Sequence, residues 1–360
     1  MNDFPRGLTR RDFLKLSGLS LMGLLLPGRP LSFFFDPSTS LRTSPEAGAP
    51  SQTILQGRIA TSYLWAYNAP SNTGKRVKMY WRDLIVNIVD TAFDTDTTAY
   101  NRVWYELEDG SFLYSGWVQP VYTLLNDPFI GPYPKDGLLG EVSVPFTDAH
   151  EFADPASKVT NRMYYATTHW ILSSILGADG LVWYRLLEDK FKSYYFVPAK
   201  HVRLIPASEI APLSPDVPNT DKRIEVHLTD QIVLAYEAGR VVFAARAASG
   251  AVLRSGTYTT PTGSFVTYHK RPSRHMAAGD ITASGFDLPG VPWVLYITDS
   301  GMSIHGTYWH NDFGHPRSHG CINLSPSASK WLYRWSLPSV KFEEQYAFDR
   351  TKATTVNIVK

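Results

Sequence analysis

The chain of 360 residues has a single cysteine, Cys321, within Ser318-His319-Gly320-Cys321-Ile322-Asn323, and a histidine-rich stretch opening with Ile304-His305-Gly306-Thr307 leads up to it. A lone cysteine forms no intramolecular disulfide, which leaves inert packing, metal ligation or nucleophilic chemistry. The preceding glycine favours the last. Gly320 permits a sharp turn that projects the thiol while backbone N–H groups converge beside it, as in an oxyanion hole. The thiolate is the attacking species and a free thiol titrates at about 8.5, so an imidazole must take the proton near neutral pH. His305 and His319 are the candidates. Residues two apart on an extended chain are separated by about 6.6 Å, which handicaps His319. His305 lies 16 positions upstream of Cys321, and a loop of that length can fold it back over the thiol.

His310, Asp312 and His315 raise the alternative of a metal site with His305 and His319. Their spacing does not set clear pairs on one helix face, and Asn311-Asp312-Phe313-Gly314 reads as a turn, so no metal is expected. His310 and His315 are then braces of a long loop. Tyr308 and Trp309 either wall a substrate groove or fill core.

Both halves of this pattern, His305-Gly306-Thr307 and Ser318-His319-Gly320-Cys321-Ile322-Asn323, resemble the YkuD-type catalytic domain of bacterial L,D-transpeptidases. The resemblance extends upstream through Ile224-Glu225-Val226-His227-Leu228, the hairpin around Glu237-Ala238-Gly239-Arg240, and Thr260-Pro261-Thr262-Gly263-Ser264-Phe265, and so covers about 222–359. It implies Cys321 as the acyl-accepting nucleophile, His305 as general base and acid, and the Gly306 carbonyl as the group that orients the imidazole. His319, Gly320 and Cys321 would line the oxyanion hole. Tyr308, Trp309, Ser318 and Asn323 are the candidates for contacting substrate, Asn323 standing where the family carries Asn or Arg and either supporting the loop or gripping substrate. The implied substrate is a peptidoglycan stem peptide, and no cofactor is required.

The elements that must position these residues are mostly strands. Ile224, Val226 and Leu228 alternate with polar residues, and Ile232–Tyr236 followed by a glycine turn and Val241–Phe243 reads as a hairpin. Ser325 as N-cap, Pro326 in the first turn, and Ala328, Trp331, Leu332 and Trp335 predict a helix starting four residues after Cys321. Upstream, Val103-Trp104-Tyr105-Glu106-Leu107 is echoed 79 residues later by Val182-Trp183-Tyr184-Arg185-Leu186. This resembles two tandem bacterial SH3-like modules over 56–122 and 139–206, small barrels that could bind wall glycan or stem peptide. Trp65, Trp81, Trp104, Trp170 and Trp183 are available for that, or for core. A Pro-punctuated stretch over 207–221 separates these modules from the catalytic domain. The expected architecture is therefore mainly β: two SH3-like barrels followed by a β-sandwich of the L,D-transpeptidase type.

A net charge of +2 gives no field that argues for nucleic acid, and 13% aromatic with 44% hydrophobic residues supports substantial cores. Thr9-Arg10-Arg11-Asp12-Phe13-Leu14-Lys15 matches the twin-arginine export pattern, and the apolar run Leu16–Gly28 is shorter than the roughly 20 residues that span a bilayer. Residues 1–28 thus read as an export signal and 29–55, rich in Pro, Ser and Thr, as a tether. The expected location is the periplasm or cell envelope, with a membrane tether if the signal stays uncleaved. One thiol also suits a protein exported without disulfides.

Overall fold

The computed structural model describes residues 55–253, 256–278 and 285–360. The export signal expected over 1–28 and all but the last residue of the tether lie outside the described residues. No helix among those described is long and apolar enough to cross a membrane.

The first sheet contains β1 (Gln56–Ile59), β2 (Tyr63–Tyr67), β3 (Arg76–Trp81), β4 (Ile85–Phe93), β5 (Val103–Leu107), β6 (Phe112–Tyr114) and β7 (Val118–Val121), in the order β3-β2-β6-β5-β4-β1-β7. The second contains β8 (Leu138–Val142), β9 (Phe146–His150), β10 (Val159–Tyr164), β11 (Thr168–Leu176), β12 (Val182–Glu188), β13 (Ser193–Pro198) and β14 (Val202–Leu204), in the order β10-β9-β13-β12-β11-β8-β14. Adding seven to each strand number of the first sheet reproduces the second. The Val-Trp-Tyr echo is β5 in one and β12 in the other, and Trp104 and Trp183 are equally buried, each 1% exposed. Each sheet has its own apolar cluster, one around Ile59, Leu113 and Val118 and the other around Met163, Ile171 and Val197. Trp170 is also core, whereas Trp81 stands 56% exposed on the edge strand β3.

The C-terminal part packs two five-stranded sheets face to face. One has β15 (Lys222–His227), β16 (Ile232–Glu237), β17 (Arg240–Arg246), β20 (Gly263–Val266) and β26 (Thr355–Val359), in the order β17-β16-β15-β26-β20. Between them in the chain, β18 (Val252–Leu253) and β19 (Gly256–Thr257) pair alone. The other sheet has β21 (His269–Ala278), β22 (Phe286–Tyr296), β23 (Ser303–Gly306), β24 (Ile322–Leu324) and β25 (Ala347–Phe348), in the order β24-β23-β22-β21-β25. The alternation read at Ile224 and Val226 is realised: both are buried, in one cluster with Leu295, Ile304, Ile322, Leu324 and Trp293.

The helix Pro326–Trp335 packs into that same cluster through Leu332, Tyr333 and Trp335. Ser325 caps it, its hydroxyl accepting from Ala328 N at 3.2 Å, and Pro326 occupies the first turn, where its missing N–H costs nothing. At the other end, the buried Lys270 Nζ donates to the Tyr333 and Ser336 carbonyls, and Lys222 donates to the Trp335 carbonyl at 3.1 Å. Two lysine amines thus satisfy carbonyls the helix leaves open, while burial lowers the pKa of both.

Candidate active site

Strand alternation decides which residues meet. Leu295 of β22, Ile304 of β23 and Ile322 and Leu324 of β24 point into the core, so Tyr296, Ser303, His305, Cys321 and Asn323 face the opposite side of the sheet. Cross-strand register then aligns them: His269 pairs with Tyr296, Tyr296 with Ser303, and His305 with Asn323.

Cys321 is half-buried at the end of the loop that enters β24, with its Sγ 3.6 Å from Ser303 Oγ and 4.0 Å from the Gly301 carbonyl. Burial pushes its thiol up, but hydrogen bonding and charge interaction with His305, together with hydrogen bonds from Ser303, outweigh it, so the thiol titrates below its ordinary value. His305 is 3% exposed, and its Nδ1 lies 3.0 Å from the Gly306 carbonyl. A carbonyl only accepts, so Nδ1 carries the proton and donates it, which leaves the Nε2 lone pair for the thiol.

The turn before Cys321 is fixed by its own backbone. Gly320 adopts φ +111°, a conformation that side chains with a Cβ resist, and its N–H donates to Ser318 Oγ at 3.1 Å. The Ser318 hydroxyl in turn donates to the Cys321 carbonyl. Thr260 Oγ1 donates to the Gly320 carbonyl at 2.8 Å and accepts from Gly250 N at 2.9 Å. Gly250 is packed so closely here that an added Cβ would lie 1.9 Å from the Tyr258 carbonyl oxygen. The segment Ala248–Ala251 therefore holds the turn as a template, pairing Ala248 with Asn323 and Gly250 with Ser318.

The two candidate bases separate clearly in space. His305 is the imidazole at the thiol. His319 is exposed, with its ring against Tyr258 at 4.5 Å and near Phe286 at 5.9 Å. Trp309 reaches the site, 5.7 Å from the His305 ring. Tyr308 turns away into packing: it is 2% exposed, stacked on Tyr164 of β10 at 5.4 Å, and its hydroxyl donates to the Pro289 carbonyl. Asn323 is 1% exposed, its side-chain amide 3.0 Å from His310 Nε2. Among the described residues no group of three or more His, Cys, Asp or Glu is arranged to hold a metal ion.

Ser303 and Tyr296 were not singled out from the sequence, although their strand register puts them beside Cys321. Tyr296 is half-buried, and its loss of solvent raises the phenol pKa, while the charge of Arg274 and a hydrogen bond with it oppose the rise. Arg274 is anchored to Asp189 of the β12–β13 turn. The signal available in the sequence was period-two alternation: Ser303 stands two before His305 in one strand.

Residues 221–358 match the family model described as YkuD, L,D-transpeptidase catalytic domain. No curated protein matches the chain. Solved structures similar to it include an avibactam carbamoyl enzyme, at 26% identity and TM-score 0.31 over 39% of this chain and 49% of that one. The C442S mutant of an Enterococcus faecium L,D-transpeptidase is 25% identical with TM-score 0.30, over 39% and 50%. The catalytic domain of the E. faecium L,D-transpeptidase is 26% identical with TM-score 0.30, over 39% and 97%. The chain spans about half the length of the first two. Residues 221–358 are thus similar to the L,D-transpeptidase catalytic domain that the family model describes.

Proposed function

We propose that the protein is an exported peptidoglycan L,D-transpeptidase working through a Cys321 thioester. The observation that carries this reading is the interaction of His305 with Cys321, which helps hold the thiol below its ordinary titration range, with His305 Nδ1 3.0 Å from the Gly306 carbonyl. His305 Nε2 accepts the thiol proton, and the thiolate attacks the carbonyl between the third stem residue and the terminal D-Ala of a donor tetrapeptide. Backbone N–H groups of His319 and Cys321 steady the oxyanion, since that of Gly320 is taken by Ser318. The C–N bond breaks as the leaving amine of D-Ala takes the proton from His305, and the thioester remains. An acceptor side-chain amine then attacks, gives its proton to His305, and expels the thiolate, leaving a 3-3 cross-link.

The N-terminal sheets, over 56–122 and 139–206, are in this reading SH3-like modules; their identical strand order supports descent from one repeated unit. The segment 207–221 joins them to the catalytic domain at 222–359, and residues 1–28 direct export by the twin-arginine route to the envelope, where the stem peptide lies.

The test is product analysis with purified tetrapeptide donor, with and without a diamino-acid acceptor. Cross-linked dimer with release of D-Ala supports the transferase. Tripeptide alone, with acceptor present, makes the protein an L,D-carboxypeptidase, and no release of D-Ala from either mixture contradicts both activities.

A further inference from the structure

The loop 307–320 connects the base to the thiol, yet several of its polar anchors lie in the first N-terminal sheet and its connecting turns. Asp312 is fully buried, and its carboxylate accepts from Tyr114 Oη at 2.7 Å, from Asn101 Nδ2 at 3.5 Å and from Arg317 Nε at 2.6 Å. Tyr114 and Asn101 stand 198 and 211 positions earlier in the chain. Next to Asp312, Asn311 N donates to the Gly116 carbonyl at 2.9 Å, and its side-chain amide donates to Tyr105 Oη at 3.1 Å. The Arg317 guanidinium lies 4.7 Å from the Trp117 ring centroid, and the buried Arg58 donates to the Tyr308 carbonyl at 2.7 Å. A buried carboxylate without such partners would be expensive, so the loop's observed path depends on this sheet being present.

From the clamp a chain of contacts runs to the catalytic strands. Asp312 N donates to His310 Nδ1 at 3.2 Å. Burial pushes the His310 imidazole down to about 3, so it is neutral and, with Nδ1 accepting, bears its proton on Nε2. Nε2 lies 3.0 Å from Asn323 Nδ2, and because Nε2 carries the proton the contact is a hydrogen bond once the amide is turned so that its otherwise unpartnered oxygen accepts from the ring. Asn323 is the cross-strand partner of His305 and stands two residues after Cys321.

We propose that Tyr114 is a positioning residue for the Cys321–His305 pair, acting through Asp312, His310 and Asn323, so that the first N-terminal sheet is an integral part of the catalytic centre. This rests on the transpeptidase reading for its chemistry, but the geometry it claims can be read without a stem peptide. Removal of the Tyr114 hydroxyl leaves Asp312 short of a donor, loosens the loop at both ends of its span, and separates thiol from imidazole.

The experiment uses the full chain with Tyr114→Phe, Asn311→Ala and, as a control at an exposed position of β3 in the same sheet, Val77→Ala. Cys321 alkylation by iodoacetamide is followed against pH, acylation by the tetrapeptide donor is followed separately, and thermal unfolding is recorded for each. Tyr114→Phe and Asn311→Ala should shift the alkylation midpoint to higher pH and lower kcat/KM for acylation by about tenfold through kcat. Val77→Ala should match the wild type. A fall in melting temperature with an unmoved alkylation profile and unchanged acylation makes the clamp structural only and overturns the proposal. If Tyr114→Phe does not fold, Asn311→Ala decides. Failure of the wild type to take up donor refutes the transpeptidase reading, while the alkylation profiles still decide this one.

Discussion

Ser303 Oγ lies 3.6 Å from Cys321 Sγ, a contact between the first residue of β23 and the residue that precedes β24. Ser303 is one of the groups that hold the thiol below its ordinary value. Ser303→Ala should therefore raise the thiol titration and leave less thiolate at neutral pH, slowing alkylation there by about threefold. Rates measured well above the titration midpoint should be equal for the two proteins. Equal rates throughout the pH range would remove Ser303 from the account.

His305→Ala deletes the larger stabilising interaction and the proton acceptor together. Acylation by donor should fall by about 10²–10⁴-fold, the usual range for a general base. His319→Ala should slow acylation far less, because that ring is exposed against Tyr258. Stopped-flow or quenched mass measurement of the two single variants compares them directly, and equal losses would reopen the assignment of the base.

The contrast between these histidines marks what could be read from the sequence. The 16-residue spacing of His305 and Cys321, the Gly320 turn, the Ile232–Phe243 hairpin and the Ser325-Pro326 helix start are local patterns, and local geometry made them legible. In the sequence Asp312 reads as a metal-ligand candidate because its partners are far away along the chain: Tyr114 and Asn101 approach only once the first N-terminal sheet packs against the loop. Tyr308 was ambiguous for the same reason. Its stacking partner, Tyr164, belongs to the second N-terminal sheet. Period-two alternation gives a strand two faces but does not say which one another domain will cover.

Glu209 links three parts of the molecule, bonding Arg203 of β14 through both oxygens at 2.8 and 3.0 Å and Lys330 of the helix Pro326–Trp335. Burial raises its pKa, but these two cations more than reverse that and hold it at about 2. The folded value lies below that of the unfolded chain, so its stabilisation is complete above about pH 4.3 and is lost as pH falls toward 2. The effect is on the order of 2–3 kcal/mol. Denaturant unfolding at pH 7 and pH 3 should show a smaller drop in Glu209→Gln than in the wild type; identical drops would contradict the linkage.

Lys270 is buried, and its Nζ lies between the carbonyls of Tyr333 and Ser336 at the helix end. Lys270→Met keeps much of the volume but leaves both carbonyls without that donor, and stability should fall by about 2–3 kcal/mol. Urea unfolding at neutral pH measures it. A loss below 0.5 kcal/mol, a magnitude ordinary for surface substitutions at roughly that size, would mean that solvent replaces the cap.

The Arg10-Arg11 pair in the N-terminal segment carries the export reading. Replacing both with Lys should retain the protein in the cytoplasm, as followed by fractionation. Normal export of the double variant would show that the chain leaves by another route.

The central claim is a covalent acyl-enzyme at Cys321, and intact-protein mass spectrometry after brief incubation with tetrapeptide donor tests it most directly. The account predicts a mass increase equal to one donor less D-Ala, absent in Cys321→Ala and discharged when acceptor amine is added. A wild-type protein that stays at its original mass while iodoacetamide still alkylates Cys321 would contradict it, because the thiol would be accessible and reactive without being an acyl acceptor.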